Sequence, residues 1–210
     1  MRSRVPETVL VVSPLEGRRR MNRAEAVLRE IERMGERNFI PVIGPEKGKI
    51  LDDVIRASKP RHVLEIGTLI GYSAIRIARL LPRGGKLVCI EMNAHHAEMA
   101  RMNLERAGLS QRVEIIVDDA KRAIPRLHGT FDVVFIDAEK SEYYTYLKLV
   151  EPRLHRGSVV VADNAGVFAR EMKEYLYHVR HSGKYESRYY ESTMEFDPNT
   201  KDGVEVSTKL

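Results

Sequence analysis

The chain has 210 residues, 43% hydrophobic and 31% charged, which is enough for one sizeable core and short for two full domains. Cys89 is its only cysteine, so an intramolecular disulfide is excluded and a reducing compartment fits best. The net charge is +5, and the first 61 residues hold 14 of the 35 Lys and Arg but only 9 of the 30 Asp and Glu, so the excess sits in the N-terminal third. A local basic surplus that includes Arg18-Arg19-Arg20 attracts anionic substrates or nucleic acid, although a solvated helix face is its commoner cause. The apolar run Thr8 to Val12 is too short for a signal peptide and is followed by Ser13-Pro14. No stretch reaches transmembrane length, and a soluble, cytoplasmic protein with no membrane partner is expected.

In chain order, Asn22 can cap a helix through Arg33, and Lys47 to Ser58 reads as a second helix bounded by Gly44-Pro45 and Lys59-Pro60. Residues 1–61 are therefore expected to form an N-terminal helical cap within the same domain as a core spanning 62–210. From residue 62 short apolar runs alternate with longer amphipathic ones. Strands are expected at His62 to Ile66, Lys86 to Glu91, Val113 to Val117, Phe131 to Ile136 and Ser158 to Ala162. Helical spacing falls at Ser73 to Leu81, Ala94 to Ala107, Ala120 to Leu127, Glu142 to Val150 and Ala169 to Val179. The tail alternates in period two at Ser187 to Ser192 and Gly203 to Lys209, with turns expected at Asp197-Pro198-Asn199 and Asp202-Gly203. The fold class is α/β: a mostly parallel, doubly wound Rossmann-like sheet, closed at one edge by an antiparallel C-terminal pair, with its site at the carboxyl ends of the strands.

Val63 to Ser73, VLEIGTLIGYS, runs from a strand through a glycine turn into a helix. Gly67 lets the backbone turn tightly and approach a ligand closely, and Ser73 can cap the following helix or bond a cofactor carboxylate at that helix's positive end. The spacing E-x-G-x-x-x-G is not the G-x-G-x-x-G of pyrophosphate-binding loops. Glu91 ends the second strand, where an acid holds two ribose hydroxyls or is simply a surface glutamate. Asp119-Ala120 follows the third strand, with Asp119 either accepting from an adenine amine or capping the next helix.

Asp137 ends the fourth strand and Asp163-Asn164 the fifth. Two carboxylates and an amide oxygen at neighbouring strand ends make a hard, all-oxygen set suited to Mg²⁺. Singly, Asp137 could be a helix cap and Asp163-Asn164 a turn.

Val63 through Glu91, together with Asp137, Asp163 and Asn164, resembles the catechol and caffeoyl-CoA O-methyltransferase family of class I methyltransferases, over roughly Ile40 to the C-terminus. The resemblance implies S-adenosylmethionine as cofactor, with Glu65 near its amino-acid end, Gly67, Gly71, Tyr72 and Ser73 around its methionine part, Glu91 on the ribose, and Asp119, Ala120 and Asp137 also in its site. Ile43, in the segment Phe39 to Gly44, falls where the family packs a residue against the methionine part. The resemblance further implies a divalent cation on Asp137, Asp163 and Asn164, Lys140 as acceptor of the substrate proton, and Glu195 holding the second hydroxyl of a catechol. Solvated lysine and exposed edge glutamate are the ordinary readings of those last two.

The chain departs from the animal catechol enzymes in having no tryptophan to wall the acceptor. Ala138-Glu139 replaces the His-Trp after the metal aspartate and resembles the caffeoyl-CoA branch and its prokaryotic relatives, leaving Val167-Phe168 as the apolar wall. A small hydroxylated molecule with vicinal oxygens is the expected acceptor, a hydroxylated nucleoside in tRNA the alternative. A cofactor-binding regulator without catalysis is opposed by the intact Asp137, Lys140, Asp163 and Asn164. The N-terminal helices serve a dimer interface in many relatives, so a homodimer is expected.

Overall fold

A computed structural model describes residues 14–38 and 40–210, and the side chains of residues 23–38 and 40–210. The apolar run Thr8 to Val12 and Phe39 lie outside the described residues, as do the side chains of Arg18 to Arg20. Helices α1 (Pro14–Asn38) and α2 (Gly44–Ser58) precede strand β1 (His62–Ile66). Then follow α3 (Tyr72–Leu80), β2 (Lys86–Glu91), α4 (Ala94–Arg106), β3 (Val113–Val117), α5 (Ala120–Ala123), β4 (Phe131–Ile136), α6 (Tyr143–Val150), β5 (Leu154–Ala162), α7 (Lys173–His181), β6 (Tyr185–Met194) and β7 (Asp197–Lys209). The seven strands form one sheet in the order β3-β2-β1-β4-β5-β7-β6. β1 to β5 are parallel, and β7 and β6 run antiparallel beyond β5. The order reverses between β1 and β4, and at such a switch point the flanking loops part and leave a crevice at the carboxyl ends of the strands.

Alternation along the strands divides the core between the two faces. Val63, Cys89, Phe135 and Val161 pack under α1 to α4, while Leu64, Ile90, Val134 and Val160 pack under α5 to α7. Glu65 pairs in register with Cys89 and Phe135, and so occupies the first of these rows among apolar neighbours. Ala24, Val27, Leu28 and Ile31 of α1 and Leu51 and Ile55 of α2 belong to the same apolar cluster as that face of the sheet. Among the described residues no helix is long and apolar enough to cross a membrane.

Several boundaries differ from the sequence expectation. α1 begins at Pro14 rather than at Asn22, and α2 starts at Gly44, with Pro45 in its first turn, where a missing N–H costs nothing. The helix expected to run to Leu127 stops at Ala123, because Pro125 cannot donate, and continues only as a tight turn. β5 begins at Leu154 rather than Ser158. The Ser158 hydroxyl bridges the irregularity there, donating to the Phe131 carbonyl at 2.8 Å and accepting the His155 N–H at 2.9 Å.

The C-terminal hairpin turns at Glu195-Phe196, not at Asp197-Pro198-Asn199, with Phe196 in the left-handed region at φ 57°. Asp197 does build a local turn, accepting from the Asn199 N–H and the Thr200 hydroxyl, but it is absorbed as a register shift inside the pair. Asp202-Gly203 is strand, not turn: a Cβ on Gly203 would lie 2.4 Å from the Tyr190 carbonyl oxygen, so this glycine permits close approach of the strands.

Candidate functional site

One cavity of about 720 Å³ opens at the carboxyl ends of the strands, bordered by the loop after β1, Glu91, Asp119-Ala120, Asp137, Lys140 and Glu195. Gly67, at φ 86°, starts the loop, and its N–H donates to the Ile90 carbonyl at 3.0 Å. A Cβ there would fall 2.0 Å from the Asp137 carbonyl oxygen. The glycine is thus required by the neighbouring strand end, in addition to any ligand. Gly71, at φ 87°, is the N-cap of α3, and Ser73 lies buried inside that helix, so the capping role expected of Ser73 falls to the Gly71 position.

Ile43, Glu65, Gly71, Tyr72 and Ser73 do not line this cavity. The Tyr72 hydroxyl points to the helical cap, donating to Glu32 at 2.6 Å and accepting from Arg76 at 2.9 Å. Arg76 in turn forms a paired ion bridge with Asp52 of α2, tying α1, α2 and α3 together. Glu65 is fully buried one layer beneath the loop. Its Oε2 accepts from the Thr68 hydroxyl and the Cys89 thiol, both at 3.0 Å, and its Oε1 has no donor. Burial pushes its carboxyl up to about 7, against the pull of those hydrogen bonds.

Glu91 closes one side of the cavity. Its Oε2 accepts the Thr68 and Leu69 N–H groups at 3.1 and 2.8 Å, and its Oε1 the Asn93 N–H at 2.8 Å. Three backbone donors fix the carboxylate, leaving further lone pairs for a ligand. Asp119 does cap α5, accepting the Lys121 N–H at 2.8 Å, and it still borders the cavity. The two readings of Asp119 are therefore compatible.

On the opposite side Asp137 and Asn164 line the cavity, with Asp163 fully buried behind them. Asn164 sits at φ 59°, a conformation asparagine tolerates. Lys140 turns back from the start of the next helix, its ammonium donating to Asp137 Oδ1 at 2.8 Å and to the Tyr143 hydroxyl at 2.9 Å, with the Tyr143 and Phe168 rings beside it. Burial works to lower the proton affinity of Lys140, but Asp137, Tyr143 and Asp163 outweigh it and hold it above the ordinary lysine value. Burial pushes the Asp163 carboxyl well up; Lys47 opposes this, while Asp137 and Glu195 add to it.

Lys47 of α2 projects into the same region and is buried. Its ammonium contacts Asp163 at 2.9 Å and Asp202 at 2.6 Å, and it also donates to Glu195. Asn164 Nδ2 donates to Asp202 at 2.8 Å and Glu195 at 3.3 Å, and Asp202 Oδ1 accepts the Gly166 and Val167 N–H groups. Although buried, Asp202 is held below the usual carboxylate range by Lys47 and these donors. Glu195 is in the hairpin turn and buried, not an exposed edge residue.

A switch-point cavity ringed by acids at successive strand ends, on this sheet order, defines a Rossmann-like class I methyltransferase fold. A family model described as O-methyltransferase matches residues 21–174. The chain belongs to the O-methyltransferase family. It is 40% identical over 175 residues to catechol O-methyltransferase B of Danio rerio, a match covering 80% of this chain and 65% of that protein. It is 36% identical over 170 residues to catechol O-methyltransferase of Sus scrofa, covering 78% and 90%. An O-methyltransferase from Streptomyces achromogenes, solved in complex with SAM, superposes with a TM-score of 0.74 at 26% identity, covering 96% of this chain and 92% of that one.

Of the residues singled out in the sequence, the fold brings Gly67, Glu91, Asp119, Ala120, Asp137, Lys140, Asn164 and Glu195 around the cavity. Phe168 lines it and Val167 does not, and Ala138-Glu139 forms part of the wall. Sequence reasoning missed Lys47, Asp202 and Tyr143. For Lys47 a signal existed: it precedes Leu51 and Ile55 at helical spacing, on the face of α2 that turns inward. For Asp202 the Asp-Gly pair read as a turn and hid a buried acid.

Proposed function

We propose that this chain transfers a methyl group from S-adenosylmethionine to one hydroxyl of a catechol-like or other vicinal-dioxygen small molecule, with Mg²⁺ or another divalent cation as cofactor. Glu91 takes the ribose hydroxyls, Asp119 and Ala120 border the adenine, the Gly67 to Ser73 turn backs the methionine part with Ile43 beside it, and Glu65 lies toward the amino-acid end. The family membership, and the binding of SAM by a structural relative, support the donor. A cavity of about 720 Å³ suits a cofactor plus one small acceptor.

The observation that carries the metal reading is Asp163. Its carboxylate is fully buried, and among the described residues its side-chain partner is the single Lys47 ammonium, 2.9 Å from Oδ1 and 3.0 Å from Oδ2, a costly state that a further cation relieves. The four carboxylates of Asp137, Asp163, Glu195 and Asp202 face the two ammonium groups of Lys47 and Lys140, a formal surplus of two negative charges that matches one divalent ion. Asp137, Asp163 and the Asn164 amide oxygen would hold it, all hard oxygen donors. When bound, such an ion supplies Lewis acidity toward vicinal oxygens and favours the ionised acceptor.

The remaining chemistry belongs to the side chains. Lys140 binds its own proton tightly while it faces a bare Asp137 carboxylate; with that carboxylate engaged it would give the proton up to solvent water, and the neutral amine would then accept the acceptor hydroxyl's proton at Nζ. Glu195 accepts a hydrogen bond from the second hydroxyl and so orients the ring. The acceptor oxygen bonds to the methyl carbon, the sulfur–carbon bond breaks with its electron pair remaining on sulfur, and S-adenosylhomocysteine is released. Phe168 and Met194 border the acceptor space.

Calorimetric titration with S-adenosylmethionine, with and without Mg²⁺, followed by a methyl-transfer screen over vicinal diphenols and tRNA, tests this reading. Binding of the cofactor with Mg²⁺-dependent, EDTA-sensitive turnover of a diphenol is expected. Absence of cofactor binding would sink it, and turnover of tRNA alone would replace the acceptor.

A further inference from the structure

The three acids Asp163, Glu195 and Asp202 place one oxygen each within 4.8 Å of one another, a geometry that taken alone resembles a metal cage. The cage already has an occupant. Lys47 donates to all three, at 3.0 Å to Asp163 and 2.6 Å to Asp202, from a side chain only 1% exposed. Asn164 completes the cluster: its amide nitrogen is committed to Asp202 and Glu195, which leaves its amide oxygen as the group free to act as a ligand. Asp202 is anchored in turn by the Gly166 and Val167 backbone N–H groups.

We propose that Lys47 is a positioning residue and the site's built-in cation: its ammonium fills the Asp163–Glu195–Asp202 cage, confines the divalent ion to the Asp137 side, and holds Glu195 in place for the acceptor. This rests on the function proposed above. It also assigns to the helical cap a part in the site, since α2 supplies the charge that the strand ends lack. A buried ammonium with three carboxylate partners is exchangeable in principle for a divalent ion, because both satisfy the same oxygens; Lys47 keeps that second position closed. Removing its charge opens the cage to a second ion and frees Glu195 and the Asn164 side chain to reorient.

Mn²⁺ titration, followed by electron paramagnetic resonance of free Mn²⁺, of wild-type protein, Lys47→Met and Lys47→Arg tests the assignment, alongside S-adenosylmethionine affinity and the KM for catechol. One Mn²⁺ per chain is expected for wild type and Lys47→Arg and two for Lys47→Met. Cofactor affinity stays within about threefold in all three, while the catechol KM rises about tenfold or more in Lys47→Met, the scale of a lost charged hydrogen bond. A Lys47→Met protein with one Mn²⁺ and an unchanged KM overturns the assignment. Should Lys47→Met fail to fold, Asp202→Asn, which keeps the shape of the cage, is expected to raise the catechol KM about fivefold with cofactor affinity intact, and an unchanged KM there overturns it equally. Wild-type protein that binds no Mn²⁺ defeats the metal reading itself, and this is seen before any variant is compared.

Discussion

Glu91 Oε2 accepts the N–H of Leu69 at 2.8 Å, so the acid at the end of β2 braces the turn that follows β1. Leu69 is itself left-handed at φ 47°, a conformation that needs such support in a bulky residue. In the proposed function, bracing the loop and binding a ribose fall to the same carboxylate. Glu91→Gln keeps an acceptor but loses charge on both tasks. S-adenosylmethionine affinity is expected to fall by roughly 10- to 100-fold, with stability lowered by about 1–2 kcal/mol, read by calorimetry and by denaturant unfolding. An affinity equal to wild type would remove Glu91 from the cofactor site.

Lys140→Met separates binding from chemistry. The variant is expected to bind S-adenosylmethionine normally and to lose about 10²- to 10⁴-fold in kcat, the usual contribution of a positioned proton acceptor. Undiminished kcat would leave Lys140 as a structural partner of Asp137 and Tyr143.

Glu65 offers a test in pH. Its ordinary value is 4.5 and burial raises it to about 7, so between these values the folded state binds a proton that the unfolded state has released. Stability from this group is therefore highest below about pH 4.5, falls as pH rises, and reaches its full cost above about pH 7. Glu65→Gln removes the titration. Relative to wild type its unfolding free energy should gain a few kcal/mol on going from pH 5 to pH 8. Parallel stability curves for the two proteins would show that Glu65 does not titrate in this range.

Gly67→Ala meets two obstacles at once, a φ of 86° and the Asp137 carbonyl oxygen 2.0 Å from the new Cβ. A loss of about 2 kcal/mol or more in denaturant unfolding is expected, together with weaker Mn²⁺ binding because the strand end carrying Asp137 is displaced. Gly84, also at positive φ but with open space around its Cβ position, serves as the control: Gly84→Ala should cost only the backbone strain and leave Mn²⁺ binding unchanged.

The five parallel strands, and the acids at the ends of β2 to β5, were legible in the sequence because period and position coincide there: an apolar run ends, and Asp or Glu closes or follows it. His62–Ile66, Lys86–Glu91, Val113–Val117 and Phe131–Ile136 fall where the apolar runs put them. What the sequence conceals depends on distant partners. The Glu195-Phe196 turn is invisible beside the stronger local signal of Asp197-Pro198-Asn199. Tyr72 and Ser73 sit in the loop motif, yet helical geometry turns the tyrosine toward Glu32 and buries the serine. Helical spacing puts Lys47 on the inward face of α2, but its partners Glu195 and Asp202 come from the distant hairpin and cannot be read from the helix.

Lys47 and Asp202 lie 155 residues apart along the chain, and their contact joins the second helix to the last strand. Between the synthesis of Lys47 and that of Asp202, the growing polypeptide carries the lysine without the carboxylate that stabilises it. Contacts of such long sequence separation form late in folding, after a large loss of chain entropy. If the proposed function holds, methyl-transfer competence should consequently not appear before Asp202 has been made and docked, and chains truncated ahead of Asp202 should remain inactive in a methyl-transfer assay.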